Sequence, residues 1–140
     1  MKLKSVLLID DDHTTNVFHT VVLKRAQVAE QILTMETPEL ALEHLLKASK
    51  LGDSAGFGQM AMPELIFLDV NMPRMTGYEF LLEFQKIYDR LNKKSIIYML
   101  TAALFPGAHD KYLSFGCVKG VLEKPLTKIC LEEIVNTHFN

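Results

Sequence analysis

The sequence has few cysteines and no repeats. Cys117 and Cys130 are its only two cysteines, and their spacing is not typical of a metal site. A chain of 140 residues buries a proper hydrophobic core without disulfides. The five histidines also lack the spacing of metal ligands, and no internal repeat or low-complexity segment is present. These absences argue against a disulfide framework and against a cysteine or histidine metal centre.

The chain also lacks strong charge and long apolar runs. It has 15 basic and 17 acidic residues, a net charge of −2, and its basic residues are scattered, with Lys24-Arg25 and Lys93-Lys94 as the only adjacent pairs. Such a balance gives no electrostatic reason to bind nucleic acid or an anionic membrane. The apolar run near the N-terminus, 6–9, is too short for a signal peptide, and no run approaches the roughly 18 apolar residues of a membrane span. We therefore expect a cytoplasmic protein with neither nucleic acid nor membrane as a partner.

What the chain does have is an alternation of short apolar runs and longer amphipathic segments. With 49% apolar and 23% charged residues, it has a globular composition and is most simply one domain over 1–140. Strands are predicted at 6–9, 30–35, 64–69, 95–100 and 121–122, each followed by a helix, and a surface loop is predicted at 52–63. Strands that alternate with helices indicate a doubly wound parallel sheet with helices on both faces.

The helical periodicity predicts which side chains face the core. These are Val17, Phe18, Val21 and Val22 in the first helix, Leu42, Leu45 and Leu46 in the second, Phe80, Phe84, Ile87 and Leu91 in the third, and Cys130 and Ile134 in the fifth. The second helix has Thr37 as its expected N-cap and Pro38 at its first position. The fourth helix, within 106–115, is expected to be short.

Polar residues follow four of the predicted strands. Right-handed crossovers place the carboxyl ends of parallel strands at one edge of the sheet, where ligands bind at the reversal of strand order. The residues at this edge are Asp10, Asp11 and Asp12 after the first strand, Asp69 after the third, Thr101 after the fourth, and Lys124 with Pro125 after the fifth. Crowded carboxylates raise each other's pKa unless a cation intervenes, and Mg²⁺ is the hard cation that suits oxygen ligands.

This set of residues fits phosphoryl transfer to an aspartate. Asp69 would act as the nucleophile and form an acyl phosphate, which is an established form of covalent catalysis. Mg²⁺, Lys124 and the Thr101 hydroxyl would neutralise or hydrogen-bond the phosphoryl oxygens. Asp12 would only cap the first helix.

Four segments together resemble the receiver domain of response regulators, in the order and at about the spacing of that family. They are "LLIDDD", "LIFLDVNMPRMTGYEF", "MLTAA" and "LEKPL". The resemblance covers nearly the whole chain and implies a flavodoxin-like five-stranded sheet of order 2-1-3-4-5. It implies that Asp69 is the phosphoacceptor, that Thr101 and Lys124 act with it, and that Pro125 follows a cis peptide bond. The implied Mg²⁺ ligands are Asp10, Asp11, Asp69 and the backbone carbonyl of Asn71.

Four positions depart from the pattern of the family. Val121 stands where many receivers have the aromatic residue that changes rotamer on phosphorylation. The segment from Gly116 to Lys124 holds one extra residue, and Thr76 replaces a common aspartate. Ala103 is small, which would leave the phosphoryl site open to water and shorten the lifetime of a phospho-aspartate.

The implied function is a signalling switch rather than an enzyme with a separate substrate, although such a domain catalyses its own phosphorylation and dephosphorylation. Its expected partners are a sensor histidine kinase or phosphotransfer protein at the first helix, and a downstream protein at 106–138. No output domain is expected within the sequence. Two alternatives stay open, a haloacid-dehalogenase-like phosphatase and a receiver-like binding module that is never phosphorylated. The phosphatases carry their acceptor aspartate before the acidic pair, whereas here the pair comes first.

Overall fold

A computed structural model describes residues 2–51, 61–91 and 94–139, so most of the loop predicted at 52–63 lies outside the described residues. Strands and helices alternate along the chain as the sequence predicts. Their bounds are β1 Leu3–Ile9, α1 His13–Ala26, β2 Ala29–Met35, α2 Pro38–Leu51, β3 Leu65–Asp69, α3 Gly77–Tyr88, β4 Ile96–Thr101, α4 Ala108–Leu113, β5 Val118–Glu123 and α5 Lys128–His138.

The strands form one parallel sheet in the order β2-β1-β3-β4-β5, which confirms the predicted fold class. The central strand β3 is buried along its whole length, as expected for a sheet covered on both faces. The strand order reverses at β1, because β2 is added on one side of β1 and β3 is added on the other. A crevice therefore opens between the carboxyl ends of β1 and β3.

Each face of the sheet has its own hydrophobic core. The core under α2, α3 and α4 contains Leu45, Phe80, Phe84, Ile87 and Tyr112 among its buried side chains. The opposite core lies under α1 and α5 and contains Leu23, Leu131 and Ile134. Helix α3 thus buries the face that its periodicity predicts, with Leu91 packed partly buried beyond its end.

The buried face predicted for α1 is wrong. Val17, Phe18 and Val21 are 50%, 51% and 41% exposed, while Asn16 and His19 are buried. These two polar side chains form hydrogen bonds with backbone groups of other elements, so α1 is turned toward the sheet partly by polar contacts. The apolar face that would normally enter the core lies in solvent instead.

Three smaller predictions for the core are also partly corrected. In α2 the buried positions are Ala41, Leu45 and Ala48, whereas Leu42 is partly buried and Leu46 is exposed. In α1, Val22 is only partly buried, and in α5 Cys130 is partly buried while Ile134 is buried. Cys117 belongs to the core under α4, where burial raises the pKa of its thiol to about 11.

Strand β5 is irregular in its pairing with β4. Its pairing with β4 passes from Val118 opposite Ile97 to Gly120 opposite Tyr98, which leaves Lys119 without a partner position in β4. This two-against-one pairing is a β-bulge. At Gly120 a Cβ atom would lie 2.7 Å from the Tyr98 ring, so only glycine fits under that side chain.

Candidate functional site

The carboxyl ends of β1 and β3 bring three aspartates together. Carboxylate oxygens of Asp10, Asp11 and Asp69 all lie within 4.8 Å of one another. Asp10 and Asp69 are buried, whereas Asp11 is exposed. The position of a buried aspartate at the end of each of two adjacent strands follows from the parallel pairing of β1 with β3.

Lys124, which follows β5, contacts two of these carboxylates at once. Its Nζ lies 2.7 Å from Oδ2 of Asp10 and 3.1 Å from Oδ1 of Asp69. The peptide bond between Lys124 and Pro125 is cis, as the sequence predicts. The backbone N–H of Lys124 also donates to the carbonyl of Thr101 at 2.8 Å, which ties the lysine to the end of β4.

The crowding of charge changes the pKa values of the site. Burial, and then the carboxylate of Asp10, raise the pKa of Asp69 to about 6, against the opposing effect of Lys124. Burial alone would lower the pKa of Lys124, but its contacts with Asp10 and Asp69 outweigh burial and raise that pKa overall. The lysine is therefore a fixed positive charge, and Asp69 is ionised at neutral pH but close to its titration range.

Asp10 is held by hydrogen bonds from two directions besides the lysine. Its Oδ1 accepts the backbone N–H of Asp12 at 2.9 Å, and its backbone carbonyl accepts Nδ2 of Asn16 at 2.9 Å. The side chain of Asp12 caps α1 as predicted, since it accepts the N–H of Thr14 at 3.3 Å and the hydroxyl of Thr15 at 2.5 Å. The bond from Thr15 lowers the pKa of Asp12. The three neighbouring aspartates thus have different surroundings and different contacts.

The turn after β3 fixes the position of Asp69. The backbone N–H of Asn71 donates to Oδ1 of Asp69 at 3.3 Å. Thr76 caps α3 in a capping box with Glu79, so the threonine that replaces a common aspartate has a clear local role. A Cβ atom at Gly77 would lie 2.8 Å from the backbone oxygen of Asp69, so the close approach of α3 to the site requires glycine.

Thr101 lies at the end of β4, where it is buried and lines a cavity. Its hydroxyl donates to the carbonyl of Ala103 at 3.0 Å. The cavity has a volume of about 350 Å³ and is lined by aromatic rings from three segments, Tyr78, Phe105 and Tyr112. The ammonium of Lys111, which also lines the cavity, lies 5.2 Å from the ring centre of Tyr78 and 5.4 Å from that of Tyr112. The sequence did not predict this cavity, because its walls come from side chains of separate elements.

His19 is a second feature of the site that the sequence did not reveal. Its Nε2 accepts the backbone N–H of Leu126 at 3.3 Å, two residues beyond Lys124. Burial and then the charge of Lys124 lower the pKa of His19, so the ring is neutral. The only signal in the sequence was that Asn16 and His19 lie one turn apart, on either side of the apolar residues Val17 and Phe18.

Comparison with known proteins identifies the family. Residues 6–136 match the model of the response regulator receiver domain. The chain belongs to this family. Receiver domains are signalling modules of two-component systems, they interact with histidine kinases or phosphotransfer proteins, and they bind Mg²⁺ at an acidic pocket.

Individual relatives agree with this assignment. A 121-residue stretch, 86% of the chain, is 30% identical to the sensor histidine kinase AruS of Pseudomonas aeruginosa, and it spans 10% of that protein's length. The structure of a two-component response regulator from Cytophaga hutchinsonii is similar with a TM-score of 0.84 and 28% identity, covering 98% of this chain and 97% of that one. The chemotaxis protein CheY4 of Vibrio cholerae is similar with a TM-score of 0.69 and 27% identity, covering 96% of this chain and 98% of that one.

Among the described residues, no helix is long and apolar enough to cross a membrane.

Proposed function

We propose that this receiver domain is a phosphoacceptor switch in which Asp69 accepts a phosphoryl group from a histidine kinase or phosphotransfer protein. The observation that carries the proposal is the contact of one ammonium, that of Lys124, with both Asp10 and Asp69 beside the exposed Asp11. A lone strand-end aspartate would have no need of such a partner. Together these groups form a nucleophile with a fixed cation next to it.

In the transfer step an oxygen of Asp69 attacks the phosphorus of a phosphohistidine. A bond forms between that oxygen and phosphorus, the bond from phosphorus to the imidazole nitrogen breaks, and its electron pair stays on the nitrogen. The ionised form of Asp69 is required, and with a pKa of about 6 it predominates at pH 7. Lys124 already contacts Asp69, so its charge is in place to stabilise the phosphoryl oxygens without reorganisation. Thr101 would exchange its bond to the Ala103 carbonyl for one to a phosphoryl oxygen.

The donor atoms at the site fit Mg²⁺. The three clustered carboxylates offer hard oxygen ligands, and an exposed carboxylate, Asp11, leaves a route for an ion with its waters. We assign Asp10, Asp11, Asp69 and the backbone carbonyl of Asn71 as the residues that would hold it. When bound, Mg²⁺ supplies positive charge that offsets the charge on the phosphoryl group. Ala103 is exposed, so water would reach the product and limit the lifetime of the phospho-aspartate.

The exposed apolar face of α1 is the proposed docking surface for the phosphoryl donor. Val17, Phe18 and Val21 project into solvent from the helix that begins directly after the acidic run. A protein that brings a phosphohistidine to Asp69 must cover the same edge of the sheet, so it would also cover this face. For the downstream partner we propose 106–138, where Leu113 of α4 is 43% exposed and Ile129 of α5 is 70% exposed.

The test is labelling by a small phosphodonor. Wild type, Asp69→Asn and the control Asp89→Asn, which changes an exposed aspartate at the end of α3, are incubated with acetyl phosphate and Mg²⁺. Intact mass spectrometry should show a gain of one phosphoryl group in wild type and in Asp89→Asn, and none in Asp69→Asn or in samples with EDTA. Equal labelling of all three proteins, or of none, contradicts the proposal.

A further inference from the structure

The buried face of α1 is unusual because it carries polar side chains next to the site. Asn16 and His19 lie one turn apart, and each is only 2% exposed. Leu23 is the one apolar side chain of this helix that is fully buried, whereas Val17, Phe18 and Val21 are largely exposed. A helix that served only to close the core would bury the apolar set, because buried polar groups cost free energy unless they are fully hydrogen-bonded.

Asn16 is not fully hydrogen-bonded. Its Nδ2 donates to the backbone carbonyl of Asp10 at 2.9 Å, but its Oδ1 is buried and has no hydrogen-bond partner within the described part of the chain. Asn16 therefore makes a poor contribution to stability. What it does provide is a fixed position for the backbone of Asp10, whose carboxylate contacts Lys124 and lies in the acidic cluster.

His19 likewise fixes the position of a backbone segment, the one that begins at Lys124. Its Nε2 accepts the backbone N–H of Leu126, and since an N–H can only donate, the ring proton must be on Nδ1. Leu126 is itself 2% exposed and packs in the core under α1 and α5. The ring thus holds the segment 124–126 at its buried end, and Lys124 begins that segment.

We propose that Asn16 and His19 are positioning residues, through which α1 sets the acidic pair and the lysine at the correct distance from each other. Asn16 sets Asp10, and His19 sets Lys124 through the segment 124–126. The two positioned residues meet in the 2.7 Å contact between Lys124 and Asp10. The inference rests on the proposed function, because a spacing set to this degree matters only if Asp69 reacts.

Two measurements distinguish the role of Asn16 from that of His19. The dissociation constant of Mg²⁺ is measured by calorimetry without phosphodonor, and the rate of labelling by acetyl phosphate is measured at saturating Mg²⁺. Asn16→Leu should raise the Mg²⁺ dissociation constant about tenfold, the usual effect of removing a group that orients a metal ligand. His19→Leu should lower the labelling rate about tenfold, with the Mg²⁺ dissociation constant within about twofold of wild type.

A rescue variant distinguishes positioning from packing. His19→Gln keeps an acceptor oxygen near the place of Nε2, so it should restore the labelling rate to within about threefold of wild type, whereas His19→Leu should not. Exchange of the Leu126 amide hydrogen, followed by NMR, should be faster in His19→Leu than in wild type or His19→Gln. The unfolding midpoint of each variant shows whether it is folded, and Asn16→Leu should be at least as stable as wild type.

The outcomes are distinguishable. An unlabelled wild type would overturn the proposed function and this inference with it. Wild-type rates in both leucine variants, with wild type labelled, would overturn the inference alone. So would a parallel loss of Mg²⁺ binding, labelling and stability in both leucine variants, because that pattern indicates a role in packing only.

Discussion

Helices α1 and α3 occupy equivalent places in the fold, yet they use their residues in opposite ways. Each follows a strand with a buried aspartate at its carboxyl end. Asp10 lies directly after β1 and before α1, and Asp69 is the last residue of β3, before the turn that leads to α3. Helix α3 buries its apolar face, including Phe80 and Phe84. Helix α1 buries polar residues and exposes a phenylalanine, Phe18, in solvent.

Core packing explains the sequence of one of these helices but not that of the other. The sequence of α3 is explained by the core that it covers, with an N-cap that starts it and an apolar stripe that holds it. The sequence of α1 is not explained by the stability of this chain alone. Its buried face contacts the backbone of the site, and its exposed face carries apolar side chains, and the roles proposed for α1 rest on these two features.

The largest expected effect compares two phenylalanines. Phe84→Ala removes a fully buried ring from α3 and should lower the free energy of unfolding by about 3–5 kcal/mol. Phe18→Ala removes a ring that is 51% exposed on α1 and should change it by no more than about 0.5 kcal/mol. Denaturant unfolding of both variants checks this, and similar losses in the two would break the comparison.

Next in size is the effect of a side chain at the start of α3. Gly77→Ala would place a Cβ atom 2.8 Å from the backbone oxygen of Asp69 and 2.9 Å from Cε of Met99. Relief of this overlap should cost about 1–3 kcal/mol of stability and displace Asp69, with slower labelling. Gly116→Ala is the matched control, since no described atom lies within 4 Å of its Cβ. Equal stability of the two alanine variants would show that α3 has room to move away from the site.

The exposed face of α1 gives a prediction about transfer rather than stability. Phe18→Ser should slow phosphoryl transfer from a protein donor about tenfold, equivalent to about 1.4 kcal/mol, and leave labelling by acetyl phosphate unchanged. Leu82→Ser removes a side chain that is 47% exposed on α3 and serves as the control. Rates of transfer from the phosphorylated donor are compared for the three proteins. If Leu82→Ser slowed transfer as much as Phe18→Ser, the docking surface would not be specific to α1.

A further prediction concerns pH and the aspartate at the end of β3, before α3. In the folded protein the pKa of Asp69 is about 6, above the ordinary value of 3.8. The unfolded chain therefore loses this proton at lower pH than the folded protein does, and the folded protein becomes less stable as the pH rises between these values. Without Mg²⁺, Asp69→Asn should therefore gain stability relative to wild type as the pH is raised from 4 to 7. Thermal unfolding in EDTA across this range measures the difference. A constant difference, or one that grows toward acid pH, would contradict the cause assigned to this pKa.

Most of the fold and the main groups of the site could be predicted from the sequence, and the exceptions have a common physical cause. Periodicity correctly indicates α3, and the carboxyl ends of parallel strands bring Asp10 and Asp69 together whatever their side-chain contacts. Periodicity was wrong for α1 because it counts apolar side chains and takes no account of polar ones that bond to distant backbone. The bond from Leu126 to His19 joins positions 107 residues apart, and no local pattern records it.

The contact between Asp10 and Lys124 joins residues 114 positions apart in the chain. Asp10 therefore leaves the ribosome well before Lys124, and over that interval the growing chain carries this aspartate without the lysine. Because contacts between such distant residues form only when the intervening chain has closed, the lysine reaches the acidic cluster late in folding. Until the segment after β5 has docked, Asp10 and Asp69 have no ammonium beside them, so their countercharge is a property of the folded state alone.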